Sequence, residues 1–234
     1  MKITPDEILC IIPARAGSKG VKNKNIKKLK SKPLIDYTLD IAKKVFPVGN
    51  IYISTDSNEI AERGNEYNLP RRELRPKSLA TDNALTIDTV LHTLDRLEKE
   101  FKAICLLQPT SPFRSAKDVL KCIDILNSNS STSVVSVCKI DEPHPHKMKK
   151  ISDNRLVPFI QDSDSSMPRQ SLEEIYSLNG CIYLTKIETI FNDRNFFGKI
   201  SLPYEMNELQ SVNINSNFDW MFAEKILEEG LLIL

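Results

Sequence analysis

Apolar residues in this chain gather in short runs, and between them lie stretches of helical spacing. Residues 8–14, ILCIIPA, form an unbroken apolar run, the pattern of a strand covered on both faces. Residues 33–46 then set Leu34, Tyr37, Leu39, Ile41, Ala42 and Val45 at helical spacing. IYIST (51–55) predicts the next strand. A helix should follow from Ser57 to about Tyr67, with Asp56 as its cap and Glu59 placed to complete a capping box. A helix over 84–99 leads into the strand AICLLQ (103–108). Ser115 with Asp118 opens another helix, to about Leu126, and SVVSVC (133–138) is a further strand.

Strand–helix alternation of this kind predicts an α/β fold with a mainly parallel sheet covered on both faces. Ligands of such sheets bind beyond the carboxyl ends of the strands, so the loops after Pro13, Thr55, Leu107 and Cys138 are the places to look. The pattern changes over 139–178, which hold little periodicity and much Pro, Asp, Ser and Lys. We expect an insertion, lid or dimerisation arm there, within a single domain spanning 1–234, rather than a second domain. Alternation returns with GCIYLT (180–185), a short helix near 186–192 and ISLPYE (200–205). SVNI (211–214) and a helix from about Ser216 to Glu229 close the chain.

Composition narrows the function classes. With 41% hydrophobic and 27% charged residues the chain is an ordinary globular one. A net charge of +1 gives no global basic field for nucleic acid. No apolar run approaches the ~20 residues of a membrane helix, the LLIL tail included, and MKITPDEILCIIPAR lacks a signal peptide's apolar region. Five cysteines, odd in number and without a CxxC pair, predict buried thiols in a reducing cytoplasm.

Charge is instead concentrated in the first loop, within IIPARAGSKGVKNKN (11–25). Gly17 and Gly20 would let backbone approach a ligand, through φ > 0 and an anion nest of N–H groups. Arg15 and Lys19 add positive charge, and Arg grips phosphate bidentately. Neither GxxxxGK[ST] nor GxGxxG is present. The competing reading is a solvated basic turn, with Lys22 and Lys24 as surface charge.

PARAGSKGVKNKN resembles the nucleotide-binding signature of the acylneuraminate cytidylyltransferases, which include CMP-sialic and CMP-legionaminic acid synthetases. STDS (54–57), LRPKSLATD (74–82), LLQPTSPFR (106–114), MPRQ (167–170) and NGCIYL (179–184) follow in the family's order, to about residue 220. The resemblance implies a three-layer, Rossmann-like fold of the nucleotide-diphospho-sugar transferase kind, and a homodimer formed through 139–178. It implies a reaction of CTP with a nine-carbon 2-keto sugar acid of the sialic, legionaminic or pseudaminic type. Ala14, Arg15, Lys19, Asn25, Arg75 and Thr86 then fall on the nucleotide side, Arg15 and Lys19 being the catalytic cations. Gln108, Lys147, Arg169, Tyr183, Phe196 and Phe197 match sugar-side positions.

Plainer roles stay open for several of these. Gln108 also suits the Pro109–Pro112 turn, Phe196 and Phe197 suit a core, and Lys147 suits a solvated basic stretch. His144 and His146 read as surface loop rather than metal ligands. Arg114 either binds anions or flanks its helix.

Two positions depart from the family. Where an Asp-Ile-Asp element usually holds Mg2+, this chain has Asn213 and Asn215, with Asp219 beyond. An amide oxygen brings no charge, so the expected magnesium site leans on the CTP phosphates, and Asp219 is better read as a cap with Ser216. Ser177 lies where some sialate-specific members carry arginine. Two rivals follow: a degenerate homologue that binds without turnover, and a cytidylyltransferase for 3-deoxy-octulosonate.

Overall fold

The computed structural model describes residues 2–161 and 163–232. Met1, Asp162 and the last two residues of the LLIL tail lie outside them. In chain order the elements are β1 (Ile8–Pro13), β2 (Lys28–Leu29), β3 (Lys32–Pro33), α1 (Leu34–Val45), β4 (Ile51–Ser54), α2 (Asn58–Glu66), α3 (Thr86–Leu94) and β5 (Ala103–Leu106). There follow α4 (Ala116–Ser128), β6 (Ser133–Ile140), β7 (Lys149–Ser152), β8 (Arg155–Pro158), β9 (Ile175–Lys186), α5 (Ile187–Asp193), β10 (Ser201–Glu205) and α6 (Asn217–Glu228).

Six strands make the central sheet, in the order β10-β6-β9-β5-β1-β4. All pair in parallel except β9, which runs against both β5 and β6. The reversal brings the start of β9 to the edge where its neighbours end. Alternation along β1 explains the unbroken apolar run. Ile8, Cys10 and Ile12 pack on one face with α1, α2 and α4, while Leu9 and Ile11 pack on the other with residues of α3 and α5. All five are essentially fully buried, and each large apolar side chain contributes about 1.5–3 kcal/mol. A third cluster seats Trp220, Ala223 and Ile226 of α6 on Val21, Leu29 and Leu34, which anchors the last helix beside the first loop.

Several boundaries differ from the sequence expectation. The expected helix over 84–99 stops at Leu94, because the chain turns back towards β5. Lys99 fixes that turn by donating to the Asp6 carbonyl (3.0 Å) and to Asn50 Oδ1 (2.8 Å). Ser57, not Asp56, caps α2, its hydroxyl accepting from the Ile60 N–H. The capping boxes of Ser115 with Asp118 and of Ser216 with Asp219 are both formed. SVNI is not a strand: Ile214 N–H donates instead to Thr110 O (2.7 Å), which ties the segment to the loop after β5.

The aperiodic stretch is more ordered than its composition implied. β6 runs on to Ile140 and β9 begins at Ile175, pairing Ile140 with Ile175. Between them β7 and β8 form a hairpin turned by Asp153 and Asn154, both at positive φ as a tight hairpin turn requires. The hairpin is solvated on both faces, so no alternation marked it; Ile151 and Leu156 are 78% and 71% exposed. His144, expected on a surface, is buried, with Nε2 3.2 Å from the Glu173 carbonyl.

Candidate active site

The first loop is held at both ends. Ala14 is fully buried and its N–H donates to Ser54 O (2.9 Å). Asp56, released from the capping role, accepts the Ala16 N–H at 2.8 Å. Asn25 is buried and donates from Nδ2 to Arg15 O (2.9 Å), so it braces the loop from within. Gly17 and Gly20 are not at positive φ. Gly20 is required for another reason: a Cβ there would lie 1.8 Å from the Asn215 carbonyl oxygen. Lys24, read from sequence as background charge, donates from Nζ to Ile214 O at 2.8 Å. The loop is thus pressed against the 213–216 segment.

Beyond the carboxyl ends of β1, β4 and β5 lies a cleft of about 300 Å³. Arg15, Asn25, Arg75, Thr86, Gln108 and Asn215 line it, as do Lys24 and Asp82. A larger groove of about 510 Å³ runs between α2 and residues 69–74 and holds none of the candidate residues. Asp82 organises the charge in the cleft. It pairs with Arg15 (2.8 Å) and Lys19 (2.6 Å), and the hydrogen bonds from Lys19 and Arg15 hold its carboxyl below the usual range. Arg75 is buried, with its N–H on Thr55 O (2.8 Å) and Nη1 on Thr89 Oγ1 (3.3 Å), while Nε has no partner among the described residues. Burial, and after it the charge of Arg15, pulls its pKa down. Burial and Arg15 act on Lys24 in the same direction.

On the other side of the cleft, Gln108 meets Gly180. Gly180 has φ +74, and a Cβ there would lie 2.7 Å from Gln108 Oε1, 2.9 Å from Asn213 Nδ2 and 3.2 Å from Ser111 Oγ. Three polar side chains therefore converge over one bare backbone position. Arg114, the largest fully buried side chain, lies beneath them. It donates from Nη1 to Thr38 Oγ1 (2.8 Å) and from Nη2 to the Gln108 carbonyl. Arg114 does flank its helix, directly before the Ser115 cap, but it is fully buried among the thiols of Cys10, Cys105 and Cys181 and so meets no solvent anion. Its guanidinium fixes the backbone of Gln108.

Tyr183, Phe196 and Phe197 do come together. Tyr183 lies 5.6 Å from Phe196 and 6.5 Å from Phe197 between ring centroids. Tyr183 and Phe196 also pack against the Leu9 and Ile11 core, and none of the three rings is among the residues lining the cleft. Lys147 and Arg169 are not among the residues lining the cleft. Lys147 pairs with Glu142 at 3.2 Å, and Arg169 pairs with Asp141 beside a groove that also contains His144. Sequence reasoning missed Asp82, although it closes the quoted LATD motif, and missed the roles of Asp56, Lys24 and Arg114.

The residues present do not fit a magnesium ion held by the protein. Asn213 Oδ1 is buried without a hydrogen-bond partner among the described residues, and so is free to be a ligand. Asn215 lines the cleft. Both are neutral, whereas magnesium is normally bound through carboxylates, phosphates and water. Asp219 caps α6 through Oδ2, which accepts from Asn215 N–H (2.9 Å), Ser216 N–H (2.8 Å) and Ser216 Oγ (2.9 Å), and it is not among the residues lining the cleft. Among the described residues no group of three or more His, Cys, Asp and Glu side chains is placed to hold a metal.

The family model described as cytidylyltransferase matches residues 9–211. The chain is 34% identical to a CMP-N,N'-diacetyllegionaminic acid synthase of Legionella pneumophila, covering 94% of this chain and 96% of that one. It is 31% identical to an N-acylneuraminate cytidylyltransferase of Escherichia coli O18:K1:H7 over 95% of its own length, but spans only 52% of that relative. Among solved structures, a CMP:2-keto-3-deoxy-manno-octonic acid synthetase in complex with CTP superposes with a TM-score of 0.69 at 13% identity, covering 96% of this chain and all of that one. That likeness establishes the three-layer fold, and the sequence matches establish the family: the chain belongs to the cytidylyltransferases.

Proposed function

We propose that this chain joins CTP to a nine-carbon 2-keto sugar acid, giving a CMP-sugar and pyrophosphate. The observation that carries the reading is the cleft itself, where Arg15, Lys24 and Arg75 converge beyond the strand ends, with Lys19 on Asp82 at its rim. The anomeric hydroxyl oxygen attacks the α-phosphorus, the bond to the β-phosphate oxygen breaks, and the hydroxyl proton leaves to solvent. The protein's part is to position the reactants and neutralise charge. Arg15 and Lys19 exchange Asp82 for the β- and γ-phosphates and stabilise departing pyrophosphate. Asn25, Arg75 and Thr86 hold the nucleotide, and Gln108, fixed by Arg114, orients the sugar. The rings of Tyr183, Phe196 and Phe197 shape the far wall of the sugar site.

In this reading the chain is one cytidylyltransferase domain, and Mg2+ arrives as the counter-ion of CTP. Residues 139–178 form a dimerisation arm. The exposed Ile151, Leu156 and Phe159 support a homodimer, which would also supply Lys147 and Arg169 with a sugar across the interface. Five buried free thiols suit a reducing cytoplasm, and among the described residues no helix is long and apolar enough to cross a membrane. The relatives' names support sialic, legionaminic and pseudaminic acids alike as substrate class.

Pyrophosphate release from CTP and magnesium, measured with each of the three acids and with 3-deoxy-octulosonate, tests the reading. Turnover should appear with one or more nine-carbon acids. The uncharged Asn213 and Asn215 favour one rival, a homologue that binds without turnover; CTP binding with no release from any acid would establish that rival instead.

A further inference from the structure

The disagreement between the asparagine pair and a protein-held metal points to Lys24. Its ammonium rests on the carbonyl of Ile214, the residue between Asn213 and Asn215. The contact is fixed by backbone packing, since Gly20 lets the loop press on the Asn215 carbonyl. Lys24 is half-buried, lines the cleft, and makes no ion pair among the described residues. Arg15 and Lys19, by contrast, are both engaged by Asp82. An ammonium has three donors; one is used on Ile214 O, and the others are free to meet a ligand. Carboxylates at 213 and 215 would pair this cation off; with two amides there, the carboxylate that acts on it is that of Asp219, which caps α6 and makes no ion pair with it.

We propose that Lys24 is a phosphate-binding cation of this site and supplies the positive charge that a carboxylate-held metal would otherwise bring, so that the chain binds CTP without a divalent ion. The proposal rests on the cytidylyltransferase reading above. It predicts that metal-free affinity resides in Lys24 and that restoring carboxylates transfers that affinity to magnesium.

Calorimetric titration of the full chain with CTP, in EDTA and in excess magnesium, tests it. The wild-type chain should bind in EDTA within about threefold of its affinity with magnesium. Lys24→Gln should lose about tenfold to a hundredfold in EDTA, the loss expected for a charged hydrogen bond. Lys24→Arg, which keeps the charge and the grip on Ile214, should retain binding, and Lys22→Gln, at an exposed neighbour outside the cleft, should bind as wild type. Asn213→Asp with Asn215→Asp should make binding magnesium-dependent. Magnesium-dependent binding by the wild type, or undiminished binding by a folded Lys24→Gln chain, overturns the role of Lys24 and leaves the proposed function standing. A wild-type chain that binds CTP under neither condition overturns both.

Discussion

Replacing Gly20 by alanine places a methyl group 1.8 Å from the Asn215 carbonyl oxygen, where real contacts do not fall below 3.0 Å. Both partners are backbone, so no rotamer change relieves the clash, and the first loop and the 213–216 segment must part by more than about 1 Å. Overpacking of this kind costs about 1–3 kcal/mol, a fall of roughly 2–4 °C in melting temperature per kcal/mol for a domain of this size. The cost to catalysis should be larger. Lys24 and Arg15 sit on the displaced loop, and a misplacement near 1 Å costs about a hundredfold in rate. Gly20→Ala is therefore expected to melt within about 10 °C of wild type while kcat/KM for CTP, read by pyrophosphate release, falls about a hundredfold. Gly49→Ala, where an added methyl meets nothing within 4 Å, is the control and should change neither quantity. A Gly20→Ala enzyme that keeps its rate within about threefold refutes the claim that this backbone contact sets the geometry of the loop.

Arg114→Met should raise the KM for the sugar acid about tenfold, with little change for CTP, because the Gln108 carbonyl loses a charged donor; equal effects on both substrates would sink the positioning role. Asp56→Ala frees the Ala16 N–H and should weaken CTP binding about tenfold with the melting temperature nearly unchanged, checked by titration and by thermal melts. Asp82→Asn removes the carboxylate that triphosphate has to displace, so CTP should bind about threefold more tightly at low salt and the advantage should fade as salt rises; weaker binding would mean that Asp82 organises the cations rather than competing for them. Burial pushes the Cys105 thiol up to about 12 and that of Cys181 up to about 11. Their contribution to stability is whole below the unfolded thiol pKa near ~8.5 and is lost as pH rises through those folded values, by about 1.4 kcal/mol per pH unit and thiol. Denaturant melts between pH 8 and 11 should show this slope, and Cys105→Ala with Cys181→Ala should remove their share of it, leaving that of Cys10 and Cys122, whose thiols burial also pushes up.

Local periodicity carried most of the framework to the page. The capping boxes at Ser115 and Ser216, the strand at 8–13 and the helix at 34–45 follow from local spacing, whereas the box expected at Asp56 and Glu59 does not form because the helix starts one residue later, on Ser57. The β7–β8 hairpin escaped because neither of its faces is buried, leaving only the Asp153–Asn154 turn as a signal. The cleft was legible from the strand ends for Arg15 and from the resemblance for Asn25 and Arg75, and the three residues line it together. What they bond to was not. The pairing of Asp82 with Arg15 and Lys19, the hold of Arg114 on Gln108, and the grip of Lys24 on Ile214 are meetings of side chains with partners from other loops. A basic side chain looks the same in a sequence whether it is solvated or docked on a carbonyl; only the fold distinguishes them.

The bond between Lys24 and Ile214 joins positions 190 residues apart. A growing polypeptide makes its glycine-bearing loop 190 residues before the strip that braces it. A chain that has passed Lys24 but ends before residue 214 therefore carries Lys24 without the carbonyl that holds it. The first loop meets its brace only once residues 213–216 are made and α6 seats on Val21 and Leu29.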